Sequence, residues 1–318
     1  LRALNVFFNG ETSPGVPLDF ERDVYFRPSR KQKKRVEISV KFKLPDRFNF
    51  RQGLGHLAEL GAEFTIRKVW EIDRLRGVGV ESRLETEGER PKDEAATARD
   101  FLSLIRFRYI PNRTVPAELL KDESQVIAGA IFKKMREASK ADDVLRGMSD
   151  SAGKLLSATS EALKVAGAPL QQPNILTSNT LGEMLRMAGF QAKGLNGASV
   201  RDEDWGAGHQ AFFLLNLLRE IDTDYSRQFG WRQACIWAVE EPESGLHHDL
   251  QTRMARQFHD WAADDARRLQ IFTTTHSPVI AMSADSGCLV ELDETSSRFH
   301  AMGVSELVRQ RSEEHTSE

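Results

Sequence analysis

The 318 residues carry 44 Lys+Arg against 47 Asp+Glu, a formal charge of -3, with 40% hydrophobic and 29% charged positions, which excludes a basic nucleic-acid coat, an acidic solvating tail and wholesale disorder. The length suits about two domains, or one large domain with an insertion, and is enough to bury a real core. Cys235 and Cys288 are too few for a disulfide framework or a cysteine-rich zinc site and fit a reducing, cytoplasmic setting, and no apolar run approaches the roughly 18 residues of a membrane span.

In chain order, residues 1–11 read as a helix already under way, with Leu1, Leu4, Phe7 and Phe8 on one face and no capping residue ahead of them. Residues 12–35 read as a polar loop ending in a basic run, Arg27 to Arg35. Val36 to Leu44 alternates apolar and polar positions and predicts a strand with one wet face. Glu63 to Ile72 and Val78 to Leu84 predict two more, joined at Gly77, so an antiparallel sheet is expected. Phe101 to Ile110 is apolar-rich and stops at Pro111. Residues 116–189 carry a helical pattern, and Ala211 to Ile221 predicts an amphipathic helix. A strand–helix alternation follows: strands Ala234–Val239, Leu269–Thr274 and Cys288–Leu292, with helices at 247–263 and from Ser277. That order predicts a parallel sheet. The last residues, 311–318, are polar and aperiodic and read like a translated sequencing adapter, so they are expected to be non-native.

Three segments carry chemistry. Ile236-Trp237-Ala238-Val239 ends in Glu240-Glu241-Pro242-Glu243, which puts consecutive carboxylates at the carboxyl end of a buried parallel strand, where open α/β sheets bind ligands. Two adjacent acids repel each other, and their pairing makes sense if one holds a Mg²⁺ shell and the other polarises a water. Thr274-Thr275-His276-Ser277-Pro278 places an imidazole at a neighbouring strand end, with Ser277 and Pro278 suited to open a helix. Gly206-Ala207-Gly208-His209-Gln210 opens a helix with small residues and free N–H groups that suit an anion. A solvated turn, an incidental histidine and an ordinary glycine turn are the plain alternatives for each taken alone.

In this order and spacing the three segments resemble the ABC-type P-loop ATPases (AAA-type ATP-binding proteins), and within them the OLD-like, RecF-like and SMC-like branch. Glu240 to His247 looks like the Walker B strand end and D-loop, Thr274 to Pro278 like the switch-histidine motif, and residues 206–210 match the signature motif more loosely. The resemblance implies an α/β ATPase head, with a parallel core sheet, an N-terminal antiparallel β subdomain and a helical insertion. It implies ATP and Mg²⁺, with Glu240 on the Mg²⁺ shell, Glu241 as general base and His276 at the γ-phosphate. Residues Gly206, Ala207, Gly208, His209 and Gln210 would meet ATP held on a second subunit of a homodimer, and Ser244 to His247 would line the dimer interface. Gly206 stands where the signature serine normally offers a hydroxyl, so only backbone donors and the helix dipole remain there.

A P-loop also needs Gly-x4-Gly-Lys-[Ser/Thr]. The Gly153-Lys154 pair is followed by Leu155 and is a chance match. The resemblance therefore places the Walker A loop upstream of residue 1, and this chain alone is expected to be inactive. The expected organisation is 1–115 and 201–310 as the two parts of the ATPase head, 116–200 as the insertion, and 311–318 as a non-native tail. Two functions compete. One is ATP hydrolysis by a dimerising head coupled to DNA maintenance or phage defence. The other is a nucleotide-gated interaction module controlling a partner effector or a downstream nuclease. Arg27, Arg30, Lys31, Lys33, Lys34 and Arg35 form the candidate DNA contact, and Arg106, Arg108 and Arg113 are further basic candidates.

Overall fold

The computed structural model describes residues 1–23, 35–46, 48–51, 53–72, 79–87, 93–112, 191–193, 199–201, 206–229, 234–264, 268–292 and 297–302. The chain forms two compact units, Leu1–Arg113 with Ser226–Glu318, and Thr114–Tyr225.

The first unit begins with helix α1, Arg2–Asn9. It stops at Gly10, whose φ of 76° closes the helix through an N–H bond to Val6 O at 2.9 Å. That left-handed conformation costs an L side chain free energy, although a Cβ there would meet nothing within 4 Å. Gly10→Ala is therefore expected to destabilise the unit by about 1 kcal/mol from backbone strain alone, as read by thermal denaturation, with Gly10→Asn costing less.

A short hairpin follows, β1 (Glu11–Ser13) and β2 (Val16–Pro17). Strands β3 (Arg35–Lys43), β4 (Glu63–Ile72) and β5 (Gly79–Glu87) make an antiparallel sheet in the order β3-β4-β5. β3 alternates exposed and half-buried residues along its whole length, as its sequence alternation requires. Its inner face carries Phe42, which packs with Phe64 and Phe101 at centroid distances of 5.7 and 5.0 Å. The first pair is stacked and the second edge-on, and ring packing of both kinds adds to area burial.

The apolar stretch before Pro111 divides in two. Helix α2, Glu94–Ser103, is opened by the Asp93 carboxylate, which accepts the Ala96 N–H. Strand β6, Ile105–Ile110, then joins a parallel sheet with β9, Ala234–Glu240, and β10, Leu269–Thr274, in the order β10-β9-β6. β9 is central, and Trp237, Ala238 and Val239 are fully buried, which is why it reads as an unbroken apolar run. Helix α4, His248–Ala263, covers it; Trp261 meets Trp237 edge-on at 5.9 Å. The short helix α5 is Pro278–Ala281.

Two sequence expectations need correction. Strand β11, Gly287–Leu292, does not extend the parallel sheet: it pairs antiparallel with β12, Ser297–Met302. The strand–helix alternation holds through β10 and then yields to a local hairpin. Arg108 is buried at 6% exposure, although β6 is an end strand of the three-stranded sheet, and this removes it as a surface phosphate contact. Of the basic run Arg27–Arg35, only Arg35 is described; the rest, together with Arg113, Gly153-Lys154, residues 116–189 and residues 311–318, lies outside the described residues.

α1 sits where the two sheets meet. Its Val6 and Phe7 enter the core of the antiparallel sheet, while Leu1, Leu4 and Phe8 pack on Phe107, Tyr109, Ile236 and Ala238 of the parallel one. Phe8 stacks on Phe107 at 4.6 Å and 8°.

The second unit includes hairpin strands β7, Gln191–Lys193, and β8, Ser199–Arg201, and the start of α3, Ala207–Phe229. Leu214, Leu215, Leu218 and Ile221 recur at helical spacing and are buried. Both cysteines are free, Cys235 buried and Cys288 exposed. Among the described residues no helix is long and apolar enough to cross a membrane.

Candidate functional site

The site grows from the carboxyl edge of the parallel sheet. Because β9 and β10 run in register, with Thr274 beside Glu240, their last residues emerge side by side. Glu241 then leaves the strand with φ of 42°, a left-handed conformation in a non-glycine residue. Its N–H still donates to Thr274 O at 2.8 Å. Such backbone strain costs about 1–3 kcal/mol and collects at functional positions. Pro242 is buried, and two turns follow, closed by Ser244 N–H to Glu241 O and Leu246 N–H to Glu243 O, each at 2.9 Å. Gly245, at φ 73°, completes the bend.

The turn brings Glu241 and His276 together. Glu241 Oε1 is 3.7 Å from His276 Nε2, an ion pair only when the imidazole is protonated. Glu241 Oε2 accepts a hydrogen bond from Asn112 Nδ2 at 2.6 Å and lies 3.5 Å from the Ser244 hydroxyl. His276 is 75% exposed at its side chain, so its ring faces solvent. Glu240 points elsewhere: its Oε1 is 4.0 Å from Arg2 Nε of α1. The two adjacent carboxylates therefore have different neighbours, which relieves their repulsion.

Tyr109 is buried at 4% exposure beneath Glu240. Its hydroxyl lies between Glu240 and Arg2 and completes a well-aligned hydrogen bond with neither. Burial, reinforced by the Glu240 charge, pushes the phenol up to about 12 from 10. The raised value means that the folded state favours the neutral phenol. Its contribution to stability is present below pH 10 and is lost as pH rises towards 12. Tyr109→Phe is expected to keep neutral-pH stability and to flatten that alkaline loss, measured by denaturant titration at pH 8 and pH 11.

Ser277 stands at the N-cap of α5 with Pro278 in the first turn, but its side chain makes no capping bond. The hydroxyl donates instead to Gln251 Oε1 at 2.8 Å. The backbone N–H groups of His276 and Ser277 go to Glu243 Oε1, at 2.6 and 3.1 Å.

Gly206 to Gln210 belong to the second unit. Gly206 is exposed, and its carbonyl accepts from His209 N–H at 2.9 Å and Gln210 N–H at 3.2 Å. Gly208 is buried and His209 exposed; Ala207 is the first residue of α3. In the first unit, Ser244, Gly245 and His247 are exposed.

Reading by motif assigned no role to Asn112, Arg2, Tyr109 or Glu243. Asn112 had a usable signal. It follows a strand-forming stretch that ends at Pro111, and the ends of parallel strands converge on one edge. Among the described residues no group of three or more His, Cys, Asp or Glu side chains is placed to hold a metal. A Mg²⁺ ion that keeps most of its waters and takes one carboxylate together with substrate phosphates fits Glu240 without such a cluster.

A parallel sheet with carboxylates and an imidazole at its carboxyl edge, beside an antiparallel subdomain, is the α/β fold of a P-loop ATPase head. The model of the AAA ATPase domain family matches residues 117–281, and the chain belongs to that family: it is an ATP-binding ATPase domain. An Smc head bound to the C-winged helix domain of ScpA is similar in fold, with a TM-score of 0.54 at 16% identity, covering 96% of this chain and 86% of that one. An Smc head domain with an extended coiled coil, bound to the C-terminal domain of ScpA from Pyrococcus furiosus, gives 0.49 at 13% identity, covering 99% and 89%. The search of curated proteins found no match.

Proposed function

We propose that the carboxyl edge of β9 and β10 is the γ-phosphate end of a Mg-ATP site, and that the complete protein hydrolyses ATP there as one head of a dimer. The observation that carries this reading is the 3.7 Å approach of His276 Nε2 to Glu241 Oε1 at the end of two parallel strands. Glu240 would hold the Mg²⁺ shell; the ion, when bound, supplies charge neutralisation on the phosphates. Glu241 accepts the proton of the attacking water, and Asn112 fixes that carboxylate by its 2.6 Å bond. His276 donates to a γ-phosphate oxygen as charge develops there.

Residues 206–210, at the start of a helix, then meet the nucleotide of the opposite head through the N–H groups of Gly206, Ala207 and Gly208, since those of His209 and Gln210 donate to Gly206 O. The exposed turn Ser244–His247 forms part of the closing surface. The division into head segments 1–115 and 201–310 around an insertion at 116–200 belongs to the same reading. DNA maintenance or phage defence is the setting we assign, with the basic residues Arg27–Arg35 as the DNA contact. The motif resemblance supports this, as does the fold likeness to an Smc head. The test separates binding from turnover in Glu241→Gln of the complete protein: hydrolysis is lost and Mg-ATP binding is kept. Unchanged hydrolysis would exclude Glu241 as the base.

A further inference from the structure

Glu243 is a carboxylate to which neither Mg²⁺ binding nor proton transfer assigns a role. It lies two residues beyond the strained Glu241, yet its side chain turns back across the sheet edge. Oε1 accepts two backbone N–H groups, His276 at 2.6 Å and Ser277 at 3.1 Å. Oε2 is buried and has no hydrogen-bond partner. Burying half of a carboxylate unpartnered is costly, so the two charge-assisted bonds on Oε1 must offset it. Ser277 N–H is shared with Thr275 Oγ1 at 2.9 Å. The Ser277 hydroxyl reaches Gln251 Oε1, and Gln251 Nε2 donates to Leu246 O at 3.0 Å. The loop that carries His276 is thus tied at both ends to the turn that follows β9.

We propose that Glu243 is a positioning residue: by holding the His276 and Ser277 amides on one oxygen, it sets the imidazole against Glu241 for ATP hydrolysis. This rests on the assignment of Glu241 and His276 above. Glu243 touches no reacting atom and acts only through the loop. Because its ligands are backbone groups, the device works whichever side chain stands at position 276. The consequence for catalysis therefore vanishes if the imidazole is absent.

The test is a double-mutant cycle in the intact protein, reading kcat and KM for ATP hydrolysis with thermal denaturation alongside. Glu243→Ala is expected to lower kcat by about 100-fold, as a misplacement of about 1 Å can, with a much smaller change in KM. Glu243→Gln keeps an acceptor oxygen and should recover most of the activity. In the His276→Ala background, either Glu243 substitution should lower kcat little further, because the group being positioned is gone. If Glu243→Ala does not fold, the cycle is run with Glu243→Gln, whose smaller loss should likewise disappear without His276. Equal losses in both backgrounds, or no loss in either while His276→Ala is itself damaging, would overturn the positioning role and leave the site assignment standing. If His276→Ala and Glu241→Gln both leave hydrolysis unchanged, the assignment of the site fails, and this proposal fails with it.

Discussion

In the complete protein, Glu241→Gln is expected to reduce ATP hydrolysis by roughly 10²- to 10⁴-fold, the usual contribution of a positioned general base. The amide is isosteric and its oxygen still accepts the Asn112 Nδ2 bond that holds Glu241 at 2.6 Å. The turn at φ 42° is a backbone feature and should survive as well. Only the capacity to take a proton from water is removed. Glu240, which faces Arg2 rather than His276, remains available to the metal shell. Mg-ATP affinity should therefore stay near that of the unchanged protein when measured by calorimetry, while phosphate release collapses. A head that binds without hydrolysing should also accumulate as a closed dimer, visible as an ATP-dependent mass increase in light scattering. Retained turnover would mean that another group is the base. A lost affinity would mean that Glu241 belongs to the metal shell instead.

Trp237→Ala is the substitution with the largest expected effect on stability, about 3–5 kcal/mol by the usual cost of deleting a buried large aromatic. Trp237 is fully buried on the central strand, and its ring meets Trp261 at 5.9 Å, with Phe258 a further 5.8 Å from Trp261. Removing it leaves a hole between β9 and α4 that neither element can close, since β9 is hydrogen-bonded on both sides. Urea unfolding followed by circular dichroism measures the loss. Trp237→Phe should cost far less by keeping a ring in the same space. The strand also carries Glu240 at its end, so a partly unfolded Trp237→Ala protein should lose ATPase activity in proportion to its unfolded fraction.

The parts of this fold that were legible in the sequence are those whose signal is local. β4 and β10 fall on their expected residues because alternation or a stretch rich in β-branched residues marks them. β9 and its glutamates were legible for the same reason. Contacts set by chain segments far apart were not. Asn112 meets Glu241 across 129 positions, and Arg2 meets Glu240 from the opposite end of the chain; no spacing rule links such pairs. α2 was hidden because Phe101 and Leu102 continue the apolar run into β6, and only the Asp93 cap marks its start. β11 was misplaced because a strand's sequence does not say which sheet it joins. Ser277 has the residue type of a cap, yet Gln251 takes its hydroxyl, a competition visible only once α4 packs beside it.

The position of α1 bears on how this unit comes apart. Eight residues are too few for a helix to hold itself in water. Phe7 needs one sheet and Phe8 stacks on the other, so the helix persists only while both stand. Each sheet in turn is sealed by a wedge that the other maintains. Such reciprocal dependence predicts that the two sheets open as a single cooperative foldon, which hydrogen exchange would read as similar opening free energies for amides in both. Arg2, on the same wedge, lies 4.0 Å from Glu240, so a tilt of α1 is felt at the end of β9.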